Sequence, residues 1–472
     1  MGCTQSRDAD SLPSTHPTNS RITATKIAPA TKANVEYDTS SSATYAGVDS
    51  GANSYFGLFA NNDSNNATQE ELDRSKYSRV NLAVCPRDDS AAKDSDNLVL
   101  LRGIAMTVPY IIMVSASSAS DESPIDSAIQ NVFSLVDGHF NNWNPKSEVA
   151  LLSQLGGGKS KEMSDEFARI LKVVDQLHKH TDGRFDPTVG QVLKTQRGYL
   201  VKHGRPATPE DVSHLAHAVG WTTKIKRNGR KMTILNSNTE IDLGGVAKGY
   251  AVDLLVQTLQ KMGYSDFYVD WGADIRAQGK HPSGRNWRTA LLDVPELAKV
   301  FALWKQDKLM QVLSDQDALY LCDLTDVAIA TSGDYFAIEK FGYHHIVHPS
   351  SLSQLRASKT SVGSVSILAP TCAEADAIAT AAMTHNTATD CATWLLNLKD
   401  RELVKGFCVV GRDGKRIVNV ATGITEISQS AAPEEAQGAA ENVEDKSPAA
   451  DVSACHKTWP KVYVAAGLPV DG

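Results

Sequence analysis

The chain has 472 residues, 42% of them hydrophobic and 22% charged, with a formal net charge of −8. That length suffices for a sizeable core, and the acidic balance argues against a general nucleic-acid binder, whose affinity rests on basic side chains. No run of about 18 apolar residues occurs, so no transmembrane helix is expected; the seven dispersed cysteines, with no Cys-x-x-Cys pair, point to a reducing compartment rather than a disulfide framework.

The chain opens Met1-Gly2-Cys3-Thr4-Gln5-Ser6, which fits the N-myristoylation pattern with Gly2 as acceptor and Ser6 in place. One acyl chain holds a protein only marginally, and Cys3 sits where a palmitoyl group supplies the second anchor. The expectation is a lipid-anchored protein at the cytoplasmic face of a membrane in a eukaryotic cell. A bacterial lipoprotein signal would need an apolar stretch before its cysteine, and here the cysteine is third. Residues 1–97 are rich in Ser, Thr, Ala, Asn and Asp and poor in large apolar side chains, so they read as a disordered tether.

A globular region is expected from 98 to 427. Leu98 to Val114 holds strand-like runs either side of Pro109, with Met106 in the first of them. Ile125, Ile129, Val132, Phe133 and Val136 recur at helical spacing. Asn141 to Glu148 is a polar loop around Trp143. Leu155-Gly156-Gly157-Gly158-Lys159-Ser160 lacks the leading glycine of a phosphate loop, because Ser153 stands there, and it reads as a turn. Ser164 is the expected N-cap of a helix carrying Phe167, Ile170, Leu171, Val174 and Leu177 on one face. Lys194 to Gly220 reads as a surface excursion with a short helix, and Met232 to Leu243 as a hairpin arm.

Residues 240–253 then combine a short strand, Glu240 to Leu243, with Gly244-Gly245 and a helix ending at Gly263. A helix N-terminus presents free N–H groups that suit a phosphate, with Asp242 before the turn and Lys248 after it. On its own the pattern fits an ordinary strand-to-helix turn equally well. Phe267 to Val269 and Trp287 to Val294 read as strands, and Val327 to Tyr335 contains the run Thr331-Ser332-Gly333-Asp334-Tyr335. Val362 to Leu368 reads as another strand, with Val365 and Ile367 alternating with serines. His344, His345 and His348 share one loop, but Pro349 breaks any helix and no Cys or acidic ligand lies nearby, which argues against zinc. Asp376 and Thr380 stand four apart on a helix and share a face, as hard oxygen donors of the kind Mg²⁺ prefers; taken alone, such a pair is more often just an acidic residue at a helix start near a core threonine. Asp413-Gly414 marks a hairpin, and the Ala-, Glu- and Pro-rich stretch 428–472 reads as a disordered tail.

Five of these stretches resemble, in order, the motifs of the ApbE family of FAD:protein FMN transferases. They are Phe185-Asp186-Pro187-Thr188-Val189-Gly190, Asp242-Leu243-Gly244-Gly245-Val246-Ala247-Lys248-Gly249-Tyr250, Ala330-Thr331-Ser332-Gly333-Asp334-Tyr335, His345-Ile346, and Ala375-Asp376-Ala377-Ile378-Ala379-Thr380. The likeness spans about residues 98 to 425. Three positions depart from the family pattern. Ala273 replaces the second glycine of Gly-Gly-Asp, His348 replaces an aspartate, and Ser350-Ser351-Leu352 replaces Thr-Gly. Thr107-Val108-Pro109-Tyr110 and Asp270-Trp271-Gly272 also resemble ApbE-like domains at the front of some eukaryotic fumarate reductases, although no reductase part follows.

The resemblance implies an α+β fold related to the T-fold, with two subdomains and the site in the cleft between them. It implies that Met106, Trp143, Arg184, Phe185, Asp186, Asp242, Lys248, Ile346 and Val347 bind FAD; for Trp143 a place in the core weighs equally. Asp376, Thr380 and the Gly245 carbonyl would hold Mg²⁺, and His345 would be the catalytic base near neutral pH. The implied reaction splits the FAD pyrophosphate, attaching FMN to a Thr or Ser of an acceptor flavoprotein and releasing AMP. The acceptor would carry an Asp-x-x-(Ser/Thr)-Gly-Ala-(Thr/Ser) pattern, and a fumarate-reductase-like protein is one such partner. Two other readings stand beside it. One is an Mg²⁺-dependent FAD pyrophosphatase with water as nucleophile, and the other a membrane-tethered flavin-binding protein without catalysis.

Overall fold

A computed structural model of the chain describes residues 98–116, 121–292, 318–334, 343–356, 358, 360–420, 424–426, 462–464 and 469–470. Gly2, Cys3 and the tether expected at 1–97 lie outside the described residues, as does most of 428–472. In chain order the elements are strands β1 (Leu98–Ala105) and β2 (Val108–Ser115), helices α1 (Glu122–His139) and α2 (Glu148–Ser153), β3 (Ser160–Glu162), α3 (Asp165–His180), α4 (Gly190–His203), α5 (Pro209–Val212) and α6 (Trp221–Lys224). Then follow β4 (Ile225–Asn228), β5 (Lys231–Ile234), α7 (Ala247–Lys261), β6 (Phe267–Trp271), β7 (Asp274–Gln278), β8 (Trp287–Leu292), β9 (Ala318–Leu324), β10 (Val327–Gly333), β11 (Tyr343–Val347), β12 (Gln354–Arg356) and β13 (Val362–Ala369). The chain ends with α8 (Cys372–Ala382), α9 (Ala388–Asp400), β14 (Gly406–Gly411), β15 (Arg416–Val420), β16 (Ile424–Glu426), β17 (Val462–Val464) and β18 (Pro469–Val470).

Eight strands form one antiparallel sheet in the order β1-β2-β6-β7-β10-β13-β14-β15. One face packs on helices. Ile112, Val114, Val269, Val365 and Ile367 from the strands join Ile129, Phe167, Val252, Ala377 and Leu395 from α1, α3, α7, α8 and α9. The opposite face, carrying Met113, Tyr268, Ile275 and Ile329, packs against Trp287, Leu291, Cys322 and Leu324 of a second sheet ordered β16-β9-β8-β17-β18. The central sheet is therefore covered on both sides. That explains β13: its alternation of serines with Val365 and Ile367 predicts one solvated face, yet every residue of β13 is buried. The serines tolerate burial because they find partners, as Ser366 does with Thr331 at 2.8 Å. Within 428–472 the described residues are β17 and β18, at the edge of the second sheet.

Three local expectations are corrected. The break between the first two strands falls at Met106-Thr107, both with positive φ, and Pro109 lies inside β2 opposite Ile104. Residues 194–220 are largely helical, because α4 runs to His203; its stripe was masked by Gln196, a polar residue that is fully buried. Gln196 is satisfied there, donating to the Leu352 carbonyl at 3.2 Å and accepting from the Ala207 N–H at 2.9 Å. Glu240 to Leu243 joins no ladder, and only Glu240 makes a single bridge, to Val189. Its backbone is satisfied by other groups. Asn142 donates to the Ile241 carbonyl at 2.6 Å and accepts from the Leu243 N–H at 2.9 Å. Ser153 accepts from the Ile241 N–H, and the Pro187 carbonyl from the Asp242 N–H. Among the described residues no helix is long and apolar enough to cross a membrane.

Candidate functional site

The junction of α7 and α8 sets the floor of the site. A Cβ on Gly249 would stand 2.2 Å from the Cys372 carbonyl oxygen, so only glycine lets the two helices approach this closely. The helices then exchange carboxylates. Asp253 of α7 accepts from the Cys372 and Ala373 N–H groups at 3.0 and 2.9 Å, at the start of α8. Asp376 of α8 accepts from the Gly249 N–H at 3.1 Å, near the start of α7. Thr371 and Glu374 add a capping box to α8, whereas the residue before α7, Val246, offers no side-chain cap. Helix α7 stops as expected, at Gly263 with φ +94.

A cavity of about 320 Å³ opens above this junction. Trp143, Arg184, Phe185, Asp186, Asp242, Gly245, Lys248, His345, Ile346, Val347, Asp376 and Thr380 all line it. Twelve of the thirteen FAD, metal and catalytic positions expected from the sequence are thus brought together from segments more than two hundred residues apart in the chain. Met106 is not among the lining residues; it occupies the β1–β2 turn and packs partly buried against the core, two residues before the lining Val108. Trp143 is 43% exposed, which settles its alternative against a core role, and the Arg197 guanidinium lies 4.4 Å from its ring centroid. Gly2 and Cys3 lie outside the described residues.

The wall formed by residues 184–190 is a tied loop. Asp186 accepts from the Thr188 N–H at 2.8 Å and the Trp221 N–H at 3.0 Å, so its carboxylate is largely spent on holding the loop. Arg184 donates to the Thr384 hydroxyl at 2.9 Å. On the floor, Asp242 accepts from the Gly244 N–H at 2.7 Å, fixing the Gly-Gly turn. A Cβ on Gly245 would meet the Thr380 side chain at 3.0 Å, which shows how closely that backbone approaches the α8 hydroxyl. Ser332 lies 3.4 Å from the same hydroxyl. The facing wall is β11 and the residues after it, backed by Val192, Val212 and Leu215 packing on Val347 and Leu352.

Lys248 donates to Asp274 at 2.6 Å. Burial alone would lower the Lys248 pKa, but Asp274 and Asp376 outweigh it and raise it, so the ammonium stays charged. Burial, and then the neighbouring Asp376, push the Asp274 carboxyl well above the usual carboxylate range against the pull of Lys248. Burial lowers His345 to about 4, so the imidazole is neutral across the physiological range rather than titrating near pH 7.

Sequence reading missed several contributors. Val108, Pro109, Leu193, Arg197, Gly272, Thr331 and Ser332 line the cavity, and Asp274 sits beside Lys248. Thr331 and Ser332 lay within a quoted motif, and Asp274 closed the Asp-Trp-Gly-Ala-Asp turn; spacing alone gave none of them a partner. Arg197 carried no signal, since it belongs to the helix that Gln196 obscured.

The sequence profile of the ApbE family matches residues 106–401. Among relatives, the FAD:protein FMN transferase of Chlamydia pneumoniae is 32% identical over 306 residues, covering 64% of this chain and 89% of that one. The FAD:protein FMN transferase of Vibrio cholerae is 25% identical over 294 residues, covering 60% and 80%. Among solved structures, the flavin transferase ApbE from Vibrio cholerae aligns with a TM-score of 0.56 at 22% identity, covering 68% of this chain and 97% of that one. The ApbE protein from Thermotoga maritima gives the same TM-score at 24% identity, with the same coverage. The mixed helix-and-sheet fold, the motifs in order and the profile match together place this chain in the ApbE family.

Proposed function

We infer that the chain is an FAD:protein FMN transferase that attaches FMN through a phosphoester to a Ser or Thr of an acceptor flavoprotein and releases AMP. One observation carries this reading. A single cavity gathers a charged lysine, hard oxygen donors and a neutral imidazole, which is what splitting a pyrophosphate with a hydroxyl requires. The names of the relatives support it. The acceptor hydroxyl oxygen forms a bond to the FMN-side phosphorus, the bond from that phosphorus to the bridging oxygen of AMP breaks, and the hydroxyl proton passes to the His345 imidazole. Lys248 and Arg184 supply positive charge along the phosphates, and Trp143 and Phe185 offer flat apolar surface for the flavin ring. Asp186 orders the loop carrying Arg184 and Phe185, and Met106 supports the cavity from the hairpin turn behind Val108.

Asp376, the Thr380 hydroxyl and the Gly245 carbonyl suit Mg²⁺ in their donor chemistry and in the close approach of Gly245 to Thr380. A Mg²⁺ held by them would neutralise charge on the pyrophosphate and on the departing AMP. Gly2 and Cys3 support attachment to the cytoplasmic face of a membrane through two acyl chains. An unmodified Gly2 by intact mass, from a eukaryotic host, would refute that part.

The deciding experiment incubates the protein with FAD, Mg²⁺ and a peptide bearing the Asp-x-x-(Ser/Thr)-Gly-Ala-(Thr/Ser) pattern. Mass spectrometry is expected to show an FMN phosphoester on the peptide, with AMP released. AMP and free FMN without an adduct would replace the transferase by a pyrophosphatase, and intact FAD would leave a flavin binder.

A further inference from the structure

The strongest feature not absorbed by the reading above is the carboxylate of Asp274. Its side chain is 1% exposed, and Lys248 takes one oxygen, Oδ2, at 2.6 Å. The other oxygen, Oδ1, is buried and has no hydrogen-bond partner. The Asp376 carboxyl is a near neighbour that, after burial, pushes the Asp274 carboxyl up. Asp376 is itself committed on one oxygen, Oδ2, to the Gly249 N–H at 3.1 Å. Two carboxylates offer only acceptors to each other, and the single ammonium of Lys248 cannot balance both. Rigid elements hold them together: Asp274 opens β7 behind the Gly272-Ala273 turn, and Asp376 lies in the first half of α8. A buried, unsatisfied carboxyl oxygen beside a second carboxyl group is completed either by a cation or by a proton shared between them.

We propose that Asp274 is a further ligand of the divalent-cation site, forming with Asp376 a two-carboxylate cradle beside Lys248. The proposal rests on the cation site of the reading above and adds a residue from a separate element, β7. It gives the site a carboxylate from the sheet as well as one from the helix, so the cation would be clamped between two layers of the fold. It also explains why Lys248 reaches only one oxygen of Asp274.

The test is Mn²⁺ binding to the full-length, FAD-free protein, followed by the electron paramagnetic resonance signal of free Mn²⁺. Asp274→Asn keeps an acceptor for Lys248 and offers Asp376 an N–H donor, so it imitates the shared-proton alternative. As a ligand, Asp274 predicts that this variant weakens Mn²⁺ binding at least about tenfold. Asp274→Cys is expected to move the preference towards Cd²⁺ relative to Mn²⁺, because a thiolate favours the softer ion. Wild-type Mn²⁺ affinity in Asp274→Asn, with loss in Asp376→Asn, would overturn the proposal and leave Asp274 as an orienting partner of Lys248. A wild type that binds no Mn²⁺ overturns it together with the cation site. A wild type that binds Mn²⁺ but modifies no peptide overturns the transferase reading alone, and the Asp274 comparison still stands on its binding data.

Discussion

Helices α7 and α8 each lend an aspartate to the start of the other, and the two aspartates are used differently. Asp253 is consumed: its oxygens take the Cys372 and Ala373 N–H groups, and Arg276 pairs with it at 2.5 Å. Asp376 gives one oxygen to the Gly249 N–H and lines the cavity. The same residue type, in the same reciprocal geometry, thus closes one helix end as structure and leaves the other facing the cavity. Buried charge with every lone pair engaged belongs to folding, whereas buried charge with capacity left over marks a site.

Exchanging the charges separately should break this symmetry. Asp376→Asn keeps an acceptor for the Gly249 N–H, so the melting temperature should barely move. AMP release should fall on the order of 10³-fold, the scale of losing charge stabilisation in phosphoryl transfer. Undiminished AMP release with Mg²⁺ present would remove Asp376 from the cation site. On the opposite wall, His345→Gln should lower kcat/KM on the order of 10²-fold, the range for a positioned base. Because burial lowers His345 to about 4, the wild-type kcat/KM should stay flat from pH 8 down to about 5 and decline only below that. The sign for stability is equally fixed. The unfolded chain gains a proton below its ordinary value of about 6.5 while the folded one does not, so the fold weakens as pH falls from there towards 4. Denaturant titrations at pH 7 and pH 5 should show that slope reduced in His345→Gln; an acid limb near pH 7 would contradict the burial of this ring.

Asp253→Ala should do the reverse of the Asp376 variant. It strips two N–H groups of their acceptor at the start of α8 and leaves Arg276 without its carboxylate, at a cost of about 2 kcal/mol. Denaturant midpoints measure this directly, and FAD cleavage at saturating substrate should survive in the folded fraction. A variant as stable as wild type but inactive would mean that Asp253, not Asp376, is the functional partner.

This contrast also marks what the sequence reveals. The Gly-Gly turn, the helix after it and the Asp376–Thr380 face were legible because their partners lie within one turn, where spacing dictates proximity. Asp242, Arg184 and His345 were legible only through motifs shared with a family. What stayed hidden depends on tertiary placement. Glu240 to Leu243 reads as a strand but takes its hydrogen bonds from Asn142 and Ser153, about a hundred residues earlier. The α4 stripe is interrupted by a glutamine whose partners come from Leu352 and Ala207. Asp274 meets Lys248 across 26 residues and a hairpin, and no periodicity records that contact.

The hairpin that carries Asp274 offers the smallest and most discriminating effect. Ala273 stands at φ +71, where the family has glycine, and it is 2% exposed in the core under the second sheet. The left-handed conformation costs an alanine about 1–2 kcal/mol. Glycine would relieve that but add about 0.5–1 kcal/mol of unfolded-state entropy and forfeit a buried methyl worth about 0.8 kcal/mol. The terms nearly cancel, so Ala273→Gly should change stability by less than about 0.5 kcal/mol, and the departure from glycine is tolerated for that reason. Ala273→Val keeps the apolar contact but places a β-branched side chain at positive φ, and should cost more than about 2 kcal/mol. If Ala273→Gly instead stabilises strongly, the turn stores strain and holds Asp274 against Asp376 under tension; if it destabilises strongly, the methyl is what seats the hairpin.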